Sequence, residues 1–233
     1  MSENRRWSVF LDLDNTILDF TMAERTALSK TLAERGIEPT DARLRRYSEI
    51  NIACWEKLEE GLLTRDEVLV LRYELLFREL GRPDLSGAEA TARYESLLHI
   101  GHWFMPGAEE LLKELSAKHD LYLASNGVES VQLSRIASAG IGPYFKELFI
   151  SERVGFNKPQ KEYFDACFAR IPGFDPARAM IVGDSLTSDI RGGINAGIKS
   201  CWYNYDGRPG RDDIRPDFEI RALSELPELL ERL

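Results

Sequence analysis

Residues 9–19 read VFLDLDNTILD, and the reading of this stretch decides the fold. Its first half, Ser8 to Leu13, is short, apolar and β-prone and runs into carboxylates. That is the pattern of a buried parallel strand delivering side chains to the C-terminal edge of a sheet. Asp12 and Asp14 therefore fall where open α/β sheets place their ligands. Alternate residues of a strand face the same side, so an Asp-x-Asp pair leaving it can set two carboxylates around one pocket. Two like charges held together need a cation or a proton. Taken alone, the segment reads equally as a strand followed by a turn, because Asp, Asn and Thr are common turn and cap residues.

The chain has 233 residues, enough for one generous domain or a core with an insert. With 43% hydrophobic and 30% charged residues it has the composition of an ordinary globular protein. A net charge of -9 argues against a nucleic-acid polymer as partner, since a phosphate backbone demands clustered Lys and Arg. An anionic substrate would instead need locally concentrated positive charge. The opening MSENRRWSV has no apolar signal core and no later run reaches membrane-spanning length, so no membrane partner is expected. Cys54, Cys167 and Cys201 are scattered without metal-type spacing and read as reduced packing residues of a cytoplasmic protein.

Residues 20–101 read as almost wholly helical. Met22 to Gly36 and Asp41 to Gly61 carry apolar residues at threes and fours. Thr64 with Glu67, and Ser86 with Glu89, have the spacing of capping boxes ahead of two more helices. Four helices without a strand suggest an inserted helical subdomain. From Met105 the pattern alternates. Strands are expected at Asp120 to Ser125, Glu147 to Ser151, Ala179 to Val182, Lys199 to Tyr203 and Asp217 to Ile220. Helices fall between them, including Ser130 to Ala139, Gln160 to Arg170 and Ser188 to Ala196, and Leu223 to Leu233 closes the chain. The expected fold is α/β: a Rossmann-like, doubly wound parallel sheet formed by residues 1–19 and 102–233, with residues 20–101 as a helical insert.

Three further stretches suit phosphate chemistry. Ser125, Asn126 and Gly127 follow a strand and offer a hydroxyl and a small turn whose N–H groups can face an anion. Lys158 precedes Pro159, which fixes the approach of the chain, so an ammonium could reach into the pocket. Residues 182–185, VGDS, bring Asp184 to the same sheet edge as Asp12, with Asp189 beyond. Carboxylates from two strands suit a hard divalent ion such as magnesium. Each stretch also has a plainer reading as a helix cap, a turn or a solvated surface lysine. Together, in order on successive strand ends, they supply complementary parts of one site.

DLDNT, SNG, KP and GDSLTSD make the chain resemble the haloacid dehalogenase (HAD) superfamily of hydrolases, from Val9 to roughly Tyr203. The helical insert corresponds to the cap of the subgroup whose insert follows the first signature. The chain is most similar to the branch that removes phosphate from nucleoside 5′-monophosphates. The resemblance implies Asp12 as nucleophile, forming an aspartyl-phosphate, and Asp14 as the acid and then the base. It implies Mg2+ held by the Asp12 carboxylate, the Asp14 main-chain carbonyl and Asp184. Ser125 and the N–H groups of Asn126 and Gly127 would bind phosphoryl oxygens, Lys158 would neutralise nucleophile and phosphate together, and Asp189 would lie in the outer shell. On this reading four carboxylates are offset by one lysine and a metal.

The substrate implied is a small phosphorylated metabolite. Sugar phosphates, N-acylneuraminate phosphate and phosphoglycolate stand as alternatives to a nucleotide. A carbon–halogen hydrolase of the same superfamily would need neither the metal nor Asp14, and a non-catalytic binding protein would have no need of Asp12, Asp14, Lys158 and Asp184 together. Phe20, Met22, Trp55 and Trp103 or Phe104 are candidate substrate contacts, with core or hinge packing as the competing role.

Overall fold

Strand β1 (Ser8–Leu11) lies inside the sheet: all the strands are parallel, and its neighbours are β2 (Asp120–Ser125) on one side and β4 (Ala179–Gly183) on the other. The structure, a computed structural model, describes residues 6–233. Beyond β2 lies β3 (Phe145–Ile150), and beyond β4 lie β5 (Lys199–Tyr203) and β6 (Phe218–Ile220). The sheet order is β3-β2-β1-β4-β5-β6. This is the doubly wound order, and it reverses direction at β1, so a crevice opens at the carboxyl ends of β1 and β4.

Both faces of the sheet are buried, and the strand sequences show it with a period of two. Val9, Leu11, Leu121, Leu123, Met180 and Val182 join one apolar cluster, which includes residues of α5 (Ala108–Lys118). Phe10, Tyr122, Ala124, Ala179 and Ile181 join another. The second cluster is completed by Tyr163, Phe164 and Cys167 of α8 (Lys161–Phe168). Full burial of a Leu, Val, Ile or Phe side chain contributes about 1.5–3 kcal/mol, so this double-sided packing holds the strand ends in register.

The differences from the sequence reading have local causes. β1 ends at Leu11 rather than Leu13, because the Leu13 carbonyl accepts from the N–H groups of both Ile17 and Leu18 and turns the chain. Asn15 takes a φ of 56°, a conformation that Asn tolerates. Ser151 belongs not to β3 but to a short helix, residues 151–154. The helix expected over Ser188 to Ala196 is a π-helical turn, Leu186–Ile190, running into a short α-helix, Arg191–Ala196.

Backbone contacts divide the described residues into two compact units, 6–20 with 102–233, and 21–101. The second is helical throughout, with helices at Asp41–Glu59, Arg65–Glu79 and Gly87–Leu98 after the first helix, Phe20–Ala33. Thr64 and Glu67 form the reciprocal capping box, whereas the Ser86 side chain accepts from Glu89 N–H without the return bond. Its interior holds a buried guanidinium: Arg72 lies 5.0–5.9 Å from the ring centroids of Tyr47, Tyr73 and Tyr94 and donates to Asn51 Oδ1 at 3.0 Å. Trp55 Nε1 donates to the same oxygen at 3.1 Å. All three cysteines are free and buried, and burial pushes the Cys167 and Cys201 thiols up to about 12. Among the described residues no helix is long and apolar enough to cross a membrane.

Candidate active site

The chain carries Asp12 one residue past β1, where its N–H still donates to Val182 O at 3.0 Å. That bond extends the β1–β4 ladder and fixes the backbone from which the carboxylate projects. Lys158, far away in sequence, meets it: Nζ donates to Asp12 Oδ1 at 2.7 Å, to Asp189 Oδ1 at 2.6 Å and to the Ala124 carbonyl at 2.6 Å. All three ammonium hydrogens therefore have acceptors, and the side chain is 1% exposed. Burial alone would lower the Lys158 pKa. The carboxylates of Asp12 and Asp189 outweigh it and hold the amine above its ordinary value.

Asn126 clasps the lysine's backbone. Its Nδ2 donates to Lys158 O at 2.8 Å and its Oδ1 accepts from Lys158 N–H at 2.9 Å. The side chain of Asn126 thus sets the lysine's approach. At the same turn, Gly127 N–H donates to Ser125 Oγ at 3.1 Å. A Cβ at Gly127 would stand 2.2 Å from Gln132 Nε2, so that side chain would have to move to admit one.

On the other side of β1, β4 ends in Gly183 and Asp184. The π-helical turn that follows is widened because the N–H groups of Asp189 and Ile190 both donate to Ser185 O at 3.1 Å. It folds Asp189 back beneath the strand end, where Oδ2 accepts from Ser185 N–H at 3.1 Å. A Cβ on Gly183 would lie 2.1 Å from that carboxylate, so the residue must be Gly. Trp202 Nε1 donates to Asp184 O at 2.9 Å, and Arg208 Nη2 approaches Asp184 O and Oδ2 at 3.1 and 3.2 Å.

Carboxylate oxygens of Asp12, Asp184 and Asp189 lie within 4.8 Å of one another. Asp189 has both oxygens engaged, by Lys158 and by Ser185. Lys158 holds Asp12 by Oδ1, and Arg208 approaches Asp184 at Oδ2. Burial pushes both Asp12 and Asp184 up, Asp184 to about 7, with Asp189 adding to each rise. Two buried carboxylates crowded in this way suit an oxygen-seeking divalent cation, which relieves the repulsion that burial magnifies.

Asp14 faces a different set of neighbours. Arg135 Nη1 donates to its Oδ1, and Gln132 Nε2 donates to its Oδ2 at 2.6 Å and to Ser125 Oγ at 2.8 Å. The charge count of the sequence reading is corrected here. Arg135 pairs with Asp14 and Arg208 with Asp184, so three cations rather than one lysine oppose the four acids.

The four signature segments thus converge at one sheet edge. A model of the haloacid dehalogenase-like hydrolases matches residues 8–197. The chain belongs to this family. Relatives cover nearly the whole of the hydrolase. It is 42% identical to the HAD-hydrolase YfnB of Bacillus subtilis, over 96% of this chain and 94% of that one. It is 34% identical to the pyrimidine 5′-nucleotidase PynA of Streptococcus pneumoniae, over 96% and 94%. The crystal structure of YfnB, solved bound to magnesium, superposes with a TM-score of 0.91 and covers 97% of this chain and 99% of that one.

Gln132, Arg135, Trp202 and Arg208 escaped the sequence reading. For the first two a signal existed. On α6 (Glu129–Ala139) the inward stripe is Val131, Gln132, Arg135 and Ile136, and two polar residues in that stripe mark a buried polar contact. Arg208 lies in the irregular segment after β5, where periodicity says nothing.

Proposed function

We propose that this hydrolase is a magnesium-dependent phosphomonoesterase that works through a phosphoryl group carried on Asp12, with nucleoside 5′-monophosphates as its substrate class. The observation that carries the proposal is the Lys158 ammonium set between Asp12 and Asp189, with Asp184 beside them. It combines a nucleophile, a fixed positive charge for phosphoryl oxygens and a pair of cation-facing carboxylates. The relatives named as pyrimidine 5′-nucleotidases favour a nucleotide over other phosphate esters.

In the first half-reaction an Asp12 oxygen attacks phosphorus, the bond to the ester oxygen breaks, and Asp14 supplies a proton to the departing alcohol. In the second, water attacks the same phosphorus while Asp14 takes its proton, and the bonding pair returns to the Asp12 carboxylate. Lys158 holds positive charge beside the nucleophile throughout, and Asp189 keeps the ammonium aimed. Ser125 and the Asn126 backbone N–H are the donors proposed for phosphoryl oxygens; the Gly127 N–H, expected beside them from the sequence, is instead spent on Ser125 Oγ. A magnesium ion held by Asp12, Asp184 and the Asp14 carbonyl would supply further charge neutralisation. We assign specificity to the helical unit, residues 21–101, because it is inserted directly after the segment that bears Asp12 and Asp14.

The test is phosphate release from a panel of pyrimidine and purine nucleoside monophosphates, sugar phosphates and small phosphoacids, with magnesium. The proposal expects kcat/KM to be highest for nucleoside monophosphates. Preference for a sugar phosphate or phosphoacid would overturn the substrate class, and no release from any ester would overturn the chemistry.

A further inference from the structure

We propose that Gln132 and Arg135 are the positioning residues of Asp14, holding its carboxylate for both proton transfers. The inference rests on Asp14 having the acid and base role given above, and it goes beyond that role by naming what keeps the group in place. The two residues stand at i and i+3 on α6, so their side chains leave the same face. Each is 1% exposed, in a stripe otherwise formed by Val131 and Ile136. An amide and a guanidinium buried there require partners.

The partner they share is Asp14. Arg135 takes Oδ1 and Gln132 takes Oδ2, so neither oxygen can turn without breaking a hydrogen bond. The donors also brace each other, through Arg135 Nη1 to Gln132 Oε1 at 3.0 Å. Gln132 continues to Ser125 Oγ at 2.8 Å, which ties the proton-transfer residue to the turn proposed to hold the phosphoryl group. Exposure differs sharply across the pair: the Arg135 side chain is 1% exposed and that of Asp14 is 27%. The clamp thus grips from the protein side and leaves the carboxylate open to a substrate.

A buried ion pair is by itself weak evidence of a stabilising role for this arginine. Its Nε and Nη2 are buried without a hydrogen-bond partner, and its guanidinium carbon lies 5.4 Å from the ring centroid of Phe20. A buried donor left without a partner is destabilising. Apolar residues of similar volume often replace a buried ion pair at no loss, or with a gain, in stability. What the arrangement supplies is orientation of one carboxylate.

The test uses Arg135→Met and Gln132→Met, which keep side-chain length and remove the donors, with 4-nitrophenyl phosphate and, as the alkyl phosphate, a nucleoside 5′-monophosphate as substrates and magnesium present. Nitrophenolate leaves without a proton, so phosphorylation of Asp12 proceeds, whereas hydrolysis of the phosphoenzyme still needs Asp14 to take a proton from water. A displaced Asp14 therefore gives a burst of nearly one nitrophenolate per site, then turnover slower by about 10–100-fold, the scale of a misplaced catalytic group. On this ester kcat and KM fall together and kcat/KM is kept in Arg135→Met. On the alkyl ester kcat/KM itself falls and no burst appears. Arg135→Lys restores part of the lost rate, and Gln132→Met adds a loss in kcat/KM on both esters through Ser125. Should Arg135→Met fail to fold, the burst in Gln132→Met carries the same test. Folded variants that lose activity equally on both esters without a burst, or that lose none, overturn the inference while leaving the phosphatase reading intact. A wild-type enzyme that hydrolyses neither ester overturns the reading itself, and the inference with it.

Discussion

Lys158 and Asp189 meet at 2.6 Å with both side chains 1% exposed. A buried ion pair is weak evidence for stability, because desolvation of two charges offsets their attraction. Its value here is directional, since the same ammonium reaches Asp12 at 2.7 Å. Removing the amine strands two carboxylates. Lys158→Met should abolish turnover and lower unfolding stability by about 3–5 kcal/mol, read by urea denaturation. Asp189→Asn keeps an acceptor for the amine but removes the charge, and kcat should fall by about 10–100-fold with the fold intact. Wild-type turnover in either variant would contradict this arrangement.

Gly183 makes a steric prediction that is independent of charge. A Cβ at this position would stand 2.1 Å from Asp189 Oδ2 and 2.7 Å from Asp189 Cβ. Gly183→Ala should therefore push the π-helical turn away from the strand end, costing about 1–3 kcal/mol of stability and a larger share of activity. Thermal melting and kcat measured on the same sample would show both losses. Unchanged melting with full activity would mean that the turn shifts freely.

His119 makes stability depend on pH at a place remote from the chemistry. Trp7 N–H donates to its Nδ1 at 3.3 Å, which requires that nitrogen to be unprotonated. Burial, with Arg6 and Lys118 adding to it, lowers the His119 pKa from 6.5 against the smaller opposing pull of Asp120 and Glu231. The folded state thus binds the proton more weakly than the unfolded chain. Its contribution is complete above about pH 6.5 and is lost as pH falls toward the lower folded value. Denaturation midpoints of wild type and His119→Asn between pH 5 and 7.5 should differ in slope, with the wild type falling more steeply on acidification. Parallel curves would rule the histidine out.

Much of this was legible in the sequence, for reasons particular residues make plain. The apolar runs leading to Asp12, Ser125 and Asp184 alternate faces of a sheet buried on both sides, so the strands could be placed from the sequence, although β1 stops two residues before its expected end. Lys158 was legible only in company with these, because one lysine before a helix says nothing by itself. The π-helical turn was not legible. Its sequence, LTSDI, fits an ordinary helix start, and its width comes from two N–H groups sharing one carbonyl. Arg135 and Arg208 lay outside every motif, so the site read as more anionic than it is.

Metal removal follows from the crowding of Asp12 and Asp184, which burial pushes above their ordinary values. Excess chelator should stop phosphate release, and magnesium should restore it. Magnesium should also raise the melting temperature by mass action, an effect that Asp184→Asn should reduce. Full turnover in chelator would remove the metal from the account.

The measurement that bears most directly on the central claim is identification of the phosphorylated residue in enzyme quenched in acid during turnover of its best phosphate ester. The account predicts a phosphoryl group on Asp12, absent from an Asp12→Asn variant that folds normally and does not turn over. A phosphoryl group on any other residue, or full activity in Asp12→Asn, would contradict it.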